Sequence, residues 1–197
     1  CPGVPDIYQG GELWNFSLVD PDNRRRVDFR RREKILQQVV YELEHAGDWH
    51  DSTESPGQGN GLPEWLRKWP DGKIKMYVLY RLLQLRREHP DLFVHGSFEP
   101  LITSIPEEAI AFLRRSDECV VLIAARTRAR SSRPEYTSLR YADAARVSLP
   151  EGLPLKEGLL WQDILRLRNI SLQSGQVDLP EDGLPLILVH KAAPEHG

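Results

Sequence analysis

The stretch PGVPDIYQGGELW (residues 2–14), which leads on to DPDNRR (residues 20–25), decides how the chain is interpreted. Two prolines and a glycine so close to the first residue are typical of the exit from a strand, so we expect polypeptide upstream. The pair Gly10 and Gly11 predicts a tight turn, after which the loop is rich in aromatic and hydrogen-bonding side chains. Sugars are bound by that combination, because planar polar groups match vicinal hydroxyls and flat rings cover the apolar faces of pyranoses.

Two helices are predicted beyond this loop. The first starts at the N-cap candidate Asp28, carries an apolar stripe at helical spacing and is closed by Gly47. The second runs over residues 73–88, with Asp71 as a cap and Pro90 as its end. The connection over residues 48–72 is rich in Gly and Pro and is predicted to hold one short helix, over residues 63–69.

The character of the chain changes at Gly96. Short apolar runs separated by Pro, Gly, Asp and Ser predict antiparallel strands that close a small sandwich. The polar stretch over residues 126–141 is predicted to be a surface loop, and Asp163, Glu181 and Asp182 to be surface charges. The predicted strands cover residues 109–113, 119–125, 146–149, 158–164 and 184–189.

Composition limits the class of protein. With 197 residues, 40% of them hydrophobic, the chain can form one large or two small domains. Its apolar runs are too short to span a bilayer, and no leader is visible, so we expect no membrane. Two cysteines, Cys1 and Cys119, are too few for a disulfide framework, which favours the cytoplasm.

Charge and histidine spacing exclude further classes. The basic clusters at residues 24–26 and 30–32 are interleaved with acidic residues, and the net charge is -3. A nucleic-acid partner is therefore not expected, since it needs an uncompensated basic face. The six histidines have no metal-ligand spacing, so we predict neither a metal site nor a cofactor.

Several motifs resemble a known family. The pattern Pro-x-x-Tyr-x-Gly-x-Glu at residues 5–12 is similar to the segment at the eighth strand of alpha-amylase superfamily barrels. The runs LVDPDNRR (18–25), DGKIKMY (71–77) and LRREHPDLF (85–93) more closely resemble the maltooligosyltrehalose synthase family. The resemblance covers residues 1 to about 100 well and the rest loosely. Two departures are Gly11 and Arg26, where that family would have a bulkier polar residue and a proline.

This resemblance implies a fold and an activity. The fold is α+β: residues 1–95 would be the C-terminal end of a (β/α)8 catalytic barrel, with its last βα loop and helices. Residues 96–197 would be a C-terminal antiparallel β-sandwich. The parent enzyme would be an isomerase of trehalose biosynthesis that converts the reducing-end alpha-1,4 link of a maltooligosaccharide into an alpha,alpha-1,1 link. Its catalytic carboxylates would lie on upstream strands, so no catalytic residue is assigned here and the isolated chain is expected to be inactive.

The loop and the start of the second helix would then form one wall of the sugar pocket. The alternatives are local: the arginines could pair with Asp20, Asp22 or Glu12, the Asp-Asn pair could only form a turn, and Tyr8 could be packed. Glu12 is expected to brace the loop, and Trp14 to pack. The predicted substrate-binding residues are Tyr8, Gln9, Asp22, Asn23, Arg24, Arg25, Lys73 and Lys75.

Two other functions remain open. The parent could be a hydrolysing or transferring amylase-type enzyme, or the chain could act as a stand-alone carbohydrate-binding module. Since a partial barrel exposes apolar faces, we expect the chain to self-associate or to bind the missing N-terminal part of the same enzyme. The other expected partner is the maltooligosaccharide substrate.

Overall fold

A computed structural model describes Gly3 and residues 6–45, 50–52, 69–127, 145–153, 160–172, 175–182 and 184–191. These residues belong to two compact units. The helical unit lies within Gly3–Asp48 and Leu62–Glu88, and the sheet unit contains the described residues of Trp49–Gly61 and His89–Gly197.

The first helix of the helical unit, α1 (Phe29–Glu44), begins where it was predicted. The Asp28 carboxylate accepts the Arg31 amide at 2.9 Å, which caps the helix. Ile35 and Val39 from the predicted apolar stripe are buried, and the helix contacts the second one. The predicted stop at Gly47 lies outside the described residues; the helix ends at Glu44, where the His45 amide donates to the Tyr41 carbonyl.

The second helix, α2 (Lys73–Glu88), has its predicted bounds. The Asp71 carboxylate accepts the Lys73 amide at 2.9 Å, so the predicted cap is confirmed. A 3-10 turn, Trp69–Asp71, precedes the helix; the rest of the short helix predicted over 63–69 lies outside the described residues. The buried side chains of α2 are Ile74, Met76, Tyr77 and Leu85.

A five-residue helix, α3 (Pro90–Val94), belongs to the sheet unit and was missed by sequence reasoning. Pro90 ends α2 as predicted, yet it also begins α3, because a proline at the first helical position lacks only an amide that would have no partner there. The Arg114 guanidinium donates to the carbonyls of Leu92, Phe93 and Gly96 at 2.7–3.2 Å. Those three bonds fix the end of α3 on the strand that carries Arg114.

The sheet unit is built on a seven-stranded sheet with the order β1-β7-β6-β9-β4-β3-β2. Neighbours are antiparallel except β1 and β7, which are parallel. β5 and β8 form a separate antiparallel pair. The strands are β1 (His50–Ser52), β2 (Ser97–Pro100), β3 (Ala109–Arg115), β4 (Cys119–Arg126), β5 (Arg146–Ser148), β6 (Leu160–Asp163), β7 (Arg168–Ser171), β8 (Gln176–Asp178) and β9 (Leu186–Lys191).

The mixed helix-and-sheet class is confirmed, with three helices and an antiparallel six-stranded run from β7 to β2. All five predicted strands exist, while β1, β2, β7 and β8 were missed because they are short and carry few apolar residues. β1 corrects the interpretation of residues 48–72 as a connection with a single short helix. The loop predicted over 126–141 lies largely outside the described residues.

One core cluster joins the large sheet to the β5–β8 pair. Trp161 of β6 and Val147 of β5 are fully buried in it, and Val177 of β8 is nearly so. A bridge between Thr103 and Val147 links the chain before β3 to β5. Alternate residues of β3, β4 and β9 supply much of the rest of the cluster, as expected for strands with one face against a core.

A buried ionic cluster corrects the prediction that Asp163 is a surface charge; Asp182 is half-buried, and Glu181 is exposed as predicted. Asp163 is fully buried and pairs with Arg166, 1% exposed, at 3.2 Å. Arg166 also donates to Asp182 at 2.6 Å and to the Pro185 carbonyl. Burial alone would lower the pKa of Arg166, but the two carboxylates outweigh it and raise that pKa. In the turn that follows Arg166, Leu167 has a backbone φ of 52°, a value that few residues other than glycine adopt.

Candidate sugar-binding loop

Arg32 of α1 holds the glycine turn of the loop. Its Nε lies 3.0 Å from Oε2 of Glu12, and its Nη2 donates to the Gly10 carbonyl at 2.9 Å. Nη1 donates to the Asp28 carbonyl at 3.1 Å, so one guanidinium joins the turn to the helix start. Glu12 therefore braces the loop, as predicted. Sequence reasoning missed Arg32, although its place in the basic run was visible.

The turn itself depends on glycine. The Gly11 amide donates to the Tyr8 carbonyl at 2.9 Å, which confirms the predicted tight turn. Gly10 has a φ of +86°, and a Cβ there would lie 3.2 Å from Val27 Cγ2. Both the backbone conformation and the packing thus favour glycine at this position.

The start of α2 holds the loop from a second direction. Lys75 Nζ donates to the Leu13 carbonyl at 3.1 Å and lies 5.6 Å from the centroid of the Trp14 ring. Gly72, with a φ of +78°, allows a close approach, since a Cβ there would be 3.3 Å from Leu13 Cδ2. Lys75 therefore holds the loop in place through Leu13 and Trp14.

The acidic and basic residues of the 20–25 segment are paired within it. Arg24 makes a two-bond contact with Asp20, with Nη2 and Oδ2 2.6 Å apart. Asp22 pairs with Arg25 and accepts the Leu18 amide at 2.8 Å. That amide bond lowers the pKa of the Asp22 carboxyl, and Arg25 lowers it further. Asp22 is thus held ionised and unsuited to act as a general acid.

The outer groups of these pairs face solvent. Arg24 and Arg25 are 71% and 74% exposed, so their unused N–H groups are open to a ligand. Asn23 differs: its Oδ1 is buried and accepts no hydrogen bond from the described part of the chain. A buried acceptor without a donor is costly, and because this oxygen is shielded from solvent, a ligand cannot reach it directly.

The other predicted substrate residues lie in less constrained surroundings. Tyr8 is 50% exposed and Gln9 is exposed, so within this chain neither side chain is packed in a core. Lys73 Nζ lies 3.9 Å from Asp71 Oδ2, too far for a hydrogen bond. Among the eight predicted residues, the structure joins Asp22 to Arg25, and it ties Lys75 to the loop backbone.

A small cleft lies beside the predicted residues. Its volume is about 120 Å³, and it is formed by the start of α1, the loop after Glu12 and the turn before α2. None of the eight predicted substrate residues lines it. The lining residues are Leu13, Trp14, Asp28, Arg31, Arg32, Pro70 and Asp71.

Metal-binding and membrane-spanning features are both absent from the described residues. Across those ranges, no three His, Cys, Asp or Glu side chains come together in a way that could hold a metal ion. Neither does any helix in them have the length and apolar character needed to cross a bilayer.

Comparison with known proteins shows which sequences the chain is similar to. No family model matches it. Two curated proteins from strains of Mycobacterium tuberculosis, both named as maltooligosyl trehalose synthases, are each 32% identical over 190 residues. The alignment covers 95% of this chain and 19% of each relative, so the chain spans about a fifth of their length.

Comparison with solved structures gives the same similarity. A crystal structure of a maltooligosyl trehalose synthase superposes with a TM-score of 0.60 and 29% identity, over 96% of this chain and 20% of that one. An Anoxybacillus alpha-amylase superposes with a TM-score of 0.57 over 100% of this chain and 30% of that one; at 20% identity it shows the fold alone. The chain is therefore similar over nearly its whole length to one segment, about a fifth in length, of proteins named as maltooligosyl trehalose synthases.

Proposed function

We propose that the chain is the C-terminal part of an isomerase that forms maltooligosyl trehalose. That enzyme would convert the reducing-end alpha-1,4 link of a maltooligosaccharide into an alpha,alpha-1,1 link. The observation that carries the proposal is sequence similarity over 95% of the chain to proteins of that name. The carboxylates that act on the bond would belong to other polypeptide, so the isolated chain is inactive.

The helical unit would be the last part of a (β/α)8 barrel, within residues 1–95, and residues 96–197 would form the C-terminal sandwich. Active sites of such barrels lie where βα loops meet at the C-terminal face. The loop before α1 is, in this proposal, the last of those loops. Both domain assignments stay predictions.

The loop would contribute positioning and no bond-breaking chemistry. Arg24 and Arg25, each oriented by an aspartate, would donate to vicinal hydroxyls, and Asn23 would belong to the wall between the two pairs. Because the arginines are held by carboxylates before the sugar arrives, little side-chain entropy is lost on binding. Tyr8, Gln9, Asp22, Lys73 and Lys75 complete the proposed wall.

The exposed apolar side chains near the loop support the proposed partners. Phe16, Leu18 and Val19 are 89%, 76% and 83% exposed, and they are nearly consecutive in sequence. Such a group favours burial against another surface. We propose that the remaining polypeptide of the enzyme covers them, and that the chain self-associates without it. A cytoplasmic location stays a prediction.

A chimera tests the proposal. The 190-residue segment of the Mycobacterium relative that aligns with this chain is replaced by the chain itself. Incubation with maltopentaose should give maltooligosyl trehalose, while the relative without its segment should give none. Circular dichroism first establishes that the chimera is folded. A folded chimera that makes no trehalose product, or an isolated chain with measurable turnover, would refute the proposal.

The chimera and the isolated chain also distinguish two other functions from the proposed one. An amylase-type parent is favoured only by fold similarity to the Anoxybacillus alpha-amylase, and it predicts glucose or shortened maltodextrin as products of the chimera. A stand-alone carbohydrate-binding module predicts that residues 96–197 fold alone and release heat when titrated with maltodextrin.

A further inference from the structure

We propose that the cleft lined by Trp14, Arg31 and Asp71 binds a single pyranose ring of a maltooligosaccharide. Its volume of about 120 Å³ is below the usual range of cofactor-sized pockets, so it can seat no more than one ring. The choice of sugar rests on the proposed function, whereas the site itself rests on the geometry of the helical unit.

Charge favours a neutral ligand. The lining holds two guanidinium groups, Arg31 and Arg32, and two carboxylates, Asp28 and Asp71. Anions would be repelled by the aspartates and cations by the arginines, while a polyhydroxylated ring can accept from one set and donate to the other.

The two arginines of the cleft differ in how many of their N–H groups already donate to the protein. Arg32 is committed to Glu12, Gly10 and the Asp28 carbonyl. Arg31, by contrast, is exposed, and its guanidinium has no partner within the described ranges. Its five N–H groups are therefore the main donors of the cleft.

The cleft is also lined by hydrogen-bond acceptors, Asp28 and Asp71. Asp71 uses Oδ1 to cap Lys73, and its Oδ2 lies 3.9 Å from Lys73 Nζ, beyond hydrogen-bond distance. Asp28 uses Oδ1 to accept the Arg31 amide. Each carboxylate keeps lone pairs for a hydroxyl, so vicinal hydroxyls of one ring would find a donor and an acceptor in the same cleft.

An apolar surface completes the site. The Trp14 side chain lines the cleft and is 38% exposed, and its backbone is fixed by the Lys75 contact to the preceding residue, Leu13. An aromatic ring held in place covers the apolar C–H face of a pyranose, which a purely charged cleft does not do.

Calorimetric titration of the full chain with maltotriose tests the site. Wild-type protein should bind in the millimolar range, on the order of -4 kcal/mol. Arg31→Gln should weaken binding by about tenfold or more, the loss of one charge-assisted hydrogen bond. Trp14→Ala should weaken it at least as much, and circular dichroism checks that each variant is folded.

Arg30→Gln is the matched control, since Arg30 is the exposed neighbour on α1 that does not line the cleft. It should bind maltotriose like wild type. Absence of heat with the wild type, equal loss in Arg30→Gln and Arg31→Gln, or binding of inorganic phosphate in place of the sugar would overturn the site.

The two proposals fail separately. If the chimera makes maltooligosyl trehalose but the chain does not bind maltotriose, only the cleft assignment is wrong. If the chimera releases glucose while Arg31→Gln still weakens maltotriose binding, the cleft stands and the isomerase assignment falls.

Discussion

The guanidinium of Arg32 and the carboxylate of Glu12, twenty residues apart in the chain, lie 3.0 Å from each other. Both side chains are mostly buried, and the same guanidinium reaches the Gly10 carbonyl. The contact joins the first turn of α1 to the glycine turn that the motif resemblance identified. It therefore helps to set the shape of the proposed pocket wall.

Removing that contact should loosen the helical unit. We expect Arg32→Ala to lower the free energy of unfolding by about 1–3 kcal/mol, because Glu12 and the Gly10 carbonyl lose a charged donor. Urea titration followed by circular dichroism measures the change. Arg30→Ala, at an exposed position of the same helix, should change it by no more than about 0.5 kcal/mol. Equal effects in the two variants would contradict the role of Arg32.

The glycine turn can be tested with a pair of alanine variants. Gly10 and Gly152 have similar φ values, +86° and +83°, but among the described residues an added Cβ would meet other atoms within 4 Å at Gly10 and none at Gly152. Both substitutions should cost about 1–2 kcal/mol for the left-handed backbone. Gly10→Ala should cost more, since its Cβ would press on Val27. Thermal unfolding gives both values, and a larger loss for Gly152→Ala would contradict the packing argument.

The buried ionic cluster predicts a contrast between two arginines of the sheet unit. Arg166→Met leaves the fully buried Asp163 without its closest partner and should cost about 3–5 kcal/mol. Arg146→Met breaks an exposed pair with Asp178 and should cost at most about 1 kcal/mol. Chemical denaturation compares them; similar losses would show that Asp163 finds other compensation.

Burial raises the pKa of the Cys119 thiol to about 11. At pH 8 the thiolate would be roughly a thousandth of the population, so Cys119 should be nearly inert toward a disulfide reagent. The Cys1→Ser variant leaves it as the only thiol. Reaction should become fast in urea, which exposes the group. A native rate equal to the unfolded rate would contradict the burial of Cys119.

The pairing of Asp22 predicts a pH dependence of the loop. Its pKa lies below the ordinary 3.8, so the ionised carboxylate stabilises the loop above that value. The stabilisation is lost as the pH falls through the lowered folded pKa. The Leu18 amide, which donates to Asp22, should report this by its NMR shift, and Asp22→Asn should abolish the titration. A midpoint at or above 3.8 would contradict the pairing.

The sequence by itself determined the features that depend on neighbouring residues. The caps Asp28 and Asp71 and the glycine turn act within a few positions of themselves, so α1, α2 and the turn could be predicted with their starts. The runs at residues 18–25 and 71–77 identified the relatives for the same reason: they are contiguous. The five strongly apolar strands followed from their own composition.

Only the tertiary structure decided what depends on distant partners. β1 and β7 carry few apolar residues, and they are strands because each meets a partner with free backbone groups. Asp163 looked like a surface charge until Arg166 and the surrounding sheet enclosed it. The cleft combines Trp14, Arg31 and Asp71, which lie far apart in sequence. Helix caps and hydrophobic periodicity depend on residues that are neighbours in the sequence. Burial and site formation depend on which distant segments the folded chain brings together.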